Sequence, residues 1–128
     1  MRNFLAAIVV VILFASTAHA EIKSYTGYGE YLMTDETIDY AKEQAEREAQ
    51  LRILEEVCTD VKKSATMIDH ELDEDEIITI SAGILHVTDT KFSLDMDEGG
   101  ILIKSFVTAQ IDTAELEKLL EQAIKERR

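Results

Sequence analysis

The fold of this chain is decided by one apolar segment near its C-terminus, residues 101–111, which reads ILIKSFVTAQI. In an extended strand its odd-numbered positions place apolar side chains on one face, and Leu102 and Phe106 place bulk on the other. The odd-numbered apolar set is Ile101, Ile103, Val107, Ala109 and Ile111. Bulk on both faces is typical of a strand inside a sheet, so we predict that residues 101–111 form the central strand.

The residues before this segment predict a β-hairpin. Asp97-Glu98-Gly99-Gly100 forms its connection, because paired glycines supply the positive φ angles that a tight turn requires. Residues 84–95 form its other strand, whose apolar residues change alternating phase midway. The two phases are Leu85 with Val87, and then Phe92 with Leu94. Such a phase change indicates a β-bulge, which we place near Thr88 to Thr90.

Residues 22–33 predict a third strand, because they are rich in tyrosine and threonine, which favour extended backbone. Gly27 and Gly29 interrupt it, and glycines inside a strand indicate a bulge or the close approach of another element. This strand most simply pairs with the free side of residues 101–111. We therefore predict a small antiparallel sheet of three strands with residues 101–111 in the middle.

A long helix is predicted after the first strand. Thr34 is the expected N-cap, Asp35 and Glu36 occupy the first turn, and helical spacing continues to about Ser64. The apolar stripe consists of Ile38, Ala41, Ala45, Ala49, Ile53 and Val57, with Leu54, Cys58 and Val61 alongside. Its three alanines let the helix lie close to the element that it covers.

Two shorter helices complete the pattern. Residues 77–82 begin with four β-branched residues, which favour a strand, but the acids before them and Gly83 after them favour a short helix. We predict the helix, and a strand stays the alternative. A final helix starts at Asp112, where Asp112 and Glu115 form a capping-box-like pair. Its apolar side consists of Leu116, Leu119, Leu120, Ala123 and Ile124.

The resulting order, β-α-α-β-β-α, defines the α+β class. The long helix can cover only one face of the sheet, and the short terminal helix covers the other only in part. Exposed apolar patches commonly mark protein interfaces. The face that carries Leu102 and Phe106, or the free strand edge beside it, is therefore the candidate interaction surface.

The first twenty residues predict a cleavable secretory signal peptide. Arg2 supplies the positive start, Phe4–Ala15 the apolar core and Ala18-x-Ala20 the small-x-small cleavage motif. The apolar run is shorter than the roughly 20 residues that a membrane-spanning helix requires. We expect cleavage between Ala20 and Glu21, which leaves residues 21–128 as one periplasmic or secreted domain, without membrane insertion. No cysteine follows the site, so acylation as a lipoprotein is not expected.

The charge of the chain limits its partners. Its 13 basic and 26 acidic residues give a net charge of −13, and removal of Arg2 with residues 1–20 leaves 12 against 26, or −14. Such a surface repels phosphate backbones and anionic lipid, so nucleic acid and membrane surfaces are poor partners. Cys58 is the only cysteine, which excludes an intrachain disulfide.

No catalytic, cofactor-binding or metal-binding residues are predicted, and the chain is interpreted as a non-enzyme. The loop from Asp95 to Gly100 matches a calcium loop at its first, third and sixth positions, but Phe106 occupies the twelfth, where a bidentate Glu is required. His70 and His86 lie 16 residues apart without a second ligand at zinc spacing. Cys58 lies in the helical stripe and is interpreted as a small buried hydrophobe.

The order of these motifs resembles a known family. A strand with Gly27-x-Gly29 leads into the alanine-rich helix 40–49, residues 81–84 (SAGI) introduce a hairpin, and residues 107–112 (VTAQID) precede a leucine-rich helix. Over nearly all of residues 21–128 this order of motifs resembles the small envelope domain shared by a bacterial surface lipoprotein family and the N-terminal domain of flagellar assembly protein T. The chain departs from it in lacking the lipoprotein cysteine. The resemblance implies a non-enzymatic envelope module that assembles with other proteins, and it carries over no catalytic residues.

The leading functional hypothesis is therefore an exported envelope module that binds another envelope protein or itself. One alternative is a secreted cystatin-like inhibitor, although that architecture needs four or five strands after the long helix and this sequence offers two. The other alternative is a small-ligand carrier, which needs a cavity between helix and sheet. The alanine stripe of the long helix argues for close contact instead.

Overall fold

The computed structural model describes residues 21–64, 71–97 and 99–127. In chain order its elements are β1 (Ile22–Met33), α1 (Ile38–Ser64), α2 (Glu74–Ala82), β2 (His86–Asp97), β3 (Gly100–Asp112) and α3 (Thr113–Arg127). The strands form one antiparallel sheet in the order β1-β3-β2. The predicted α+β class, element order and central strand are confirmed. The predicted signal peptide with Ala18 and Ala20 lies outside the described residues, as does His70.

The predicted β-bulge lies in β2. The register of β2 with β3 shifts between Val87 and Asp89, where the Thr88 hydroxyl donates a hydrogen bond to the Thr108 carbonyl oxygen at 3.2 Å. The extra residue reverses the alternation of the strand. Val87 and Phe92 consequently lie on the same face of the sheet, although their sequence phases differ.

A single glycine makes the turn between β2 and β3 possible. Gly100 has a φ of +147°, and no other described residue has a positive φ. An added Cβ there would also overlap the carbonyl oxygen of Met33 at the end of β1. Gly99 does not share this conformation, so one glycine of the predicted pair meets the requirement of the turn.

One face of the sheet, the covered face, lies directly against α1. In β3 it is formed by Ile103, Ser105, Val107, Ala109 and Ile111, all of them buried. A Cβ on Gly27 would overlap the carbonyl oxygen of Ala49, and a Cβ on Gly29 would overlap that of Ala45. Because the register between β1 and β3 is continuous, close approach of the helix and not a bulge explains these two glycines. The alanine stripe packs as predicted, with no exposed surface.

The start of α1 differs from the prediction. The N-cap is Thr37 and not Thr34, and its side-chain oxygen accepts a hydrogen bond from the Tyr40 N–H at 3.2 Å. The Glu36 carboxylate accepts hydrogen bonds from the Thr34 N–H and the Tyr31 hydroxyl, each at 2.9 Å. These bonds hold residues 34–36 in a bend, so the acids expected in the first helical turn lie before the helix.

Capping residues define the two shorter helices. The helix predicted before Gly83 is confirmed as α2, where the Asp73 carboxylate accepts from the Glu76 N–H at 2.9 Å and Glu76 reaches back to the Asp73 N–H. This capping box outweighs the strand preference of the β-branched residues. The predicted cap of α3 is also confirmed, because Asp112 Oδ1 accepts from the Glu115 N–H at 3.2 Å.

The position of α3 corrects the expectation that the terminal helix covers part of the second face. Its buried residues Leu116 and Leu120 belong to the same apolar cluster as Val57 of α1 and Ile111 of β3. All three helices therefore pack on the same side of the sheet. The opposite side, the open face, has no helix over it within the described residues.

Candidate functional site

The open face carries an apolar stripe, defined by Tyr28, Leu32, Leu102 and Phe106. Tyr28 pairs with Phe106 across the two strands, and Leu32 pairs with Leu102. The ring centroids of Tyr28 and Phe106 lie 5.1 Å apart with an interplanar angle of 49°. Phe106 exposes 48% of its surface and Leu32 exposes 41%. The two residues predicted as the interface thus share one stripe, on the face that no described helix covers.

Polar groups beside the apolar stripe are paired with one another. Lys104 Nζ lies 2.6 Å from Asp95 Oδ2, and the hydrogen bond raises the pKa of Lys104. The Tyr28 hydroxyl donates a hydrogen bond to Glu30 Oε2 at 2.7 Å, which raises the pKa of Tyr28. Since these charges have local partners, the apolar side chains are the groups on this face that gain most from contact with another molecule.

The edges of the sheet form a second accessible feature. β1 and β2 are edge strands of 12 residues each, and within the described residues neither has a strand on its outer side. Near the end of β2, Leu94 and Met96 expose 48% and 84% of their surfaces. An unpaired edge presents backbone donors and acceptors to an added strand. Leu94 and Met96 pair with Ile103 and Ile101 and lie on the helical side of the sheet, so the edge of β2 is an accessible surface separate from the apolar stripe.

A cleft of about 520 Å³ opens between the start of β1, the last turns of α1 and the first turns of α3. Its floor is apolar and consists of Val57, Val61, Ile111, Leu116 and Leu120. Its rim is polar and consists of Glu21, Lys23, Asp60, Lys63, Thr113 and Glu117. The close contact at the alanine stripe does not extend to this end of α1. The volume lies within the range of roughly 300–1,000 Å³ that is usual for ligand pockets.

A hydrogen-bonded cluster joins the floor of the cleft to its rim. The Tyr25 hydroxyl and Lys23 Nζ both donate to Asp60 Oδ2, at 2.8 Å and 2.5 Å. Burial, followed by the hydrogen bond to Asp60, raises the pKa of Tyr25 to about 12. The hydrogen bonds from Lys23 and then from Tyr25 lower the pKa of Asp60. At neutral pH the phenol therefore stays protonated and the carboxylate stays ionised, so the three side chains form a fixed hydrogen-bonded cluster.

The other residues singled out in the sequence lie apart from both surfaces. Cys58 is buried in the core, as predicted. His86 is exposed at the start of β2. Across residues 21–64, 71–97 and 99–127, no group of three His, Cys, Asp or Glu side chains could hold a metal ion. Over the same ranges, no helix combines the length and the apolar character needed to cross a membrane.

Sequence reasoning missed the cluster of Lys23, Tyr25 and Asp60. Tyr25 and Asp60 are separated by 35 residues, and their contact depends on where the last turns of α1 cross β1. A lysine and a tyrosine at alternate positions of a strand are a common pattern that indicates no site. The one usable signal was that Tyr25 shares the strand phase of Gly27 and Gly29, which places its ring on the covered face.

No protein-family model, curated protein or solved structure matches this chain. Two features of the described residues are therefore the candidate functional sites, namely the apolar stripe of the open face and the cleft beside α3.

Proposed function

We propose that this chain is an exported, non-enzymatic module of the bacterial cell envelope that binds another protein through its open face. Three observations support the proposal. The N-terminal residues have the pattern of a signal peptide, the mature segment resembles an envelope domain that assembles with other proteins, and the sheet leaves one face without a helix. Leu102 and Phe106 are the proposed contact residues.

The observation that carries the proposal is the exposure of Phe106. An antiparallel sheet commonly turns one face to water, and such a face is then polar. Here the middle of the central strand instead presents Phe106, which exposes 48% of its surface and whose ring is tilted by 49° against that of Tyr28. Full burial of a side chain of this kind stabilises a contact by about 1.5–3 kcal/mol. A partner that covers the apolar stripe would gain this free energy several times over.

Charge favours a different protein over a second copy as the partner. The chain has a net charge of −13, so two copies repel each other at long range. A neutral or basic envelope protein meets no such barrier. The cystatin-like alternative loses support, because only β2 and β3 follow α1 within the described residues. The carrier alternative concerns the cleft and not the open face.

Export is tested by the mass of the processed protein. Expression of the full chain in a bacterium should yield a periplasmic or secreted product that begins at Glu21, because signal peptidase accepts the small residues Ala18 and Ala20. Intact mass spectrometry of the purified product measures the cleavage position. Retention of residues 1–20 in the mature product would contradict export by this route.

Binding is tested with a double variant of the apolar stripe. Leu102→Ser with Phe106→Ser should abolish capture of the partner from an envelope extract, because both changes remove apolar area from the proposed contact. A matched control carries Ile38→Ser and Leu51→Ser, two exposed apolar residues of α1 on the helical side of the sheet. The control should capture the same protein as the wild type.

Three outcomes would contradict the proposed contact. In the first, the wild type captures no protein and is monomeric by light scattering. In the second, the control loses capture to the same extent as the double variant. In the third, the double variant loses its helical circular dichroism, which would make Leu102 and Phe106 ordinary core residues. A wild type that forms dimers and captures nothing else would assign the open face to self-association.

A further inference from the structure

We propose that the cleft between β1, α1 and α3 binds a small amphipathic molecule with an uncharged, hydrogen-bonding head group, such as a medium-chain alcohol or amide. This site is separate from the proposed protein contact, because the cleft opens on the helical side of the sheet. It represents a second function of the same domain.

The floor of the cleft selects an apolar body. Val57, Ile111 and Leu120 each expose about 1% of their surface, and they come from three different elements. The three elements α1, β3 and α3 also pack in the core, so they cannot move together and close the cleft without losing core contacts. A cleft of about 520 Å³ can hold an alkyl chain or a ring, and binding removes mainly the ligand's own apolar surface from water, because the floor residues are already buried.

The rim of the cleft disfavours a charged head group. Lys23 and Asp60, the pair nearest to the Tyr25 hydroxyl, already neutralise each other at 2.5 Å. The other rim charges, on Glu21, Lys63 and Glu117, are exposed and hydrated. An ion entering the cleft would lose part of its hydration beside a pair that is already neutral, and such desolvation is costly. The net charge of −13 further repels an anion, and a cation, which that charge attracts, finds the carboxylate beside the Tyr25 hydroxyl already paired with Lys23.

The same rim offers hydrogen bonds to an uncharged head group. The Asp60 side chain is one-third exposed, at 33%, and remains an acceptor of further hydrogen bonds through its carboxylate. The low pKa of Asp60 keeps that acceptor available at neutral pH. The Thr113 hydroxyl on the facing element donates its proton to the Glu21 carbonyl oxygen at 3.1 Å, and its oxygen can still accept a hydrogen bond. An alcohol or amide therefore finds partners at the rim while its apolar body lies on the floor.

A fluorescent displacement assay tests this site. The probe is 1-N-phenylnaphthylamine, which is uncharged and fluoresces in apolar surroundings. The protein is the processed product purified after expression of the full chain. We expect saturable fluorescence, displaced by decanol at concentrations at least about tenfold lower than those of decanoate or decylamine. Because the ligand carries no charge, displacement by decanol should change less than about twofold between low and high salt.

Variants locate the bound probe. Val61→Trp places a large ring over the apolar floor and should weaken probe binding at least about tenfold. Glu56→Trp adds the same ring to the exposed side of α1 and should bind like the wild type. The variant with Leu102→Ser and Phe106→Ser should also bind like the wild type, which separates the cleft from the open face. If Val61→Trp does not fold, Val61→Phe is judged by the same criterion.

Four results would overturn the inference. They are no saturable fluorescence with the wild type, unchanged binding by the Val61 variant, loss of binding by the open-face variant, or displacement by decanoate or decylamine as effective as that by decanol. The last result alone would reject the uncharged ligand class while leaving the location of the cleft supported. The first, second and last results leave the proposed protein contact unaffected, because none of them uses the open-face variant. Loss of probe binding by the open-face variant is read together with its helical circular dichroism, since an unfolded variant also contradicts the protein contact.

Discussion

The two faces of the sheet are built from the same three strands but are closed in different ways. On the covered face, Gly27 and Gly29 bring β1 into contact with the backbone of α1, and Ile103 and Val107 are almost fully buried. On the open face, Phe106 exposes 48% of its surface although it lies in the centre of the central strand. Residues one position apart in β3 therefore meet opposite environments.

Substitutions should therefore destabilise the fold strongly on the covered face and only weakly on the open face. The covered face is closed by contacts between the backbones of β1 and α1, and these contacts leave no space for an added carbon atom. The open face is bounded by water, so its side chains contribute little to folding. The apolar residues on this face are the ones to which the proposed protein contact is assigned.

The largest expected effect separates two neighbouring residues of β3. Ile103→Ala should lower the free energy of unfolding by roughly 2–5 kcal/mol, because it leaves a cavity in the core. Leu102→Ala, on the open face, should lower it by less than about 1 kcal/mol. Urea unfolding monitored by circular dichroism measures both values. Similar losses for the two variants would mean that the open face is part of the core.

A smaller effect concerns the contact between β1 and α1. In open space, alanine in place of glycine stabilises a chain by about 0.4–1 kcal/mol. Gly29→Ala should instead destabilise the fold by about 3 kcal/mol, the upper end of overpacking costs, because its Cβ meets the backbone of Ala45 and Ala49. Ser24→Ala, on the open face of the same strand, serves as the control and should be nearly neutral. Stabilisation by Gly29→Ala would show that helix and strand are not in contact.

The smallest effect compares two tyrosines of β1. Tyr25→Phe should cost about 1 kcal/mol at pH 7, since it removes a hydrogen bond to the ionised Asp60 carboxylate. Tyr28→Phe removes an exposed hydrogen bond to Glu30 and should cost almost nothing. Because the pKa of Asp60 is lowered on folding, its stabilising contribution is present above its unfolded pKa near about 4 and is lost as pH falls through its folded value.

The cost of Tyr25→Phe should therefore shrink as the pH falls through the lowered folded pKa of Asp60. Folding raises the pKa of Tyr25 to about 12. Its contribution to stability is therefore present at neutral pH and is lost as the pH rises above the ordinary tyrosine pKa of about 10. Urea unfolding at several pH values measures the change in stability on the acid and alkaline sides, and tyrosinate absorbance measures the ionisation of Tyr25. A cost for Tyr28→Phe equal to that for Tyr25→Phe would remove the distinction between the faces.

Local patterns in the sequence were enough to predict most of the elements. Alternation over residues 101–111 predicts the central strand, and the phase change in the preceding strand predicts the bulge that the structure places between Val87 and Asp89. The capping pair at Asp112 marks the start of α3. Each of these signals acts through backbone geometry and side-chain spacing over a few residues, so it can be read without the rest of the chain.

Tertiary structure decided what those patterns do not contain. The helix expected to start after Thr34 starts later because the Glu36 carboxylate accepts a hydrogen bond from Tyr31. The position of Tyr31 is set by the pairing of β1 with β3. The side of the sheet taken by α3 follows from burial of Leu116 and Leu120 in the apolar cluster shared with β3 and the other helices, which no local pattern specifies. The cleft with Lys23 and Asp60 arises where three elements meet. By itself the sequence determined the class, the order and the periodicity of the elements, because these depend on neighbours in the chain, whereas the open face and the cleft depend on contacts between residues tens of positions apart.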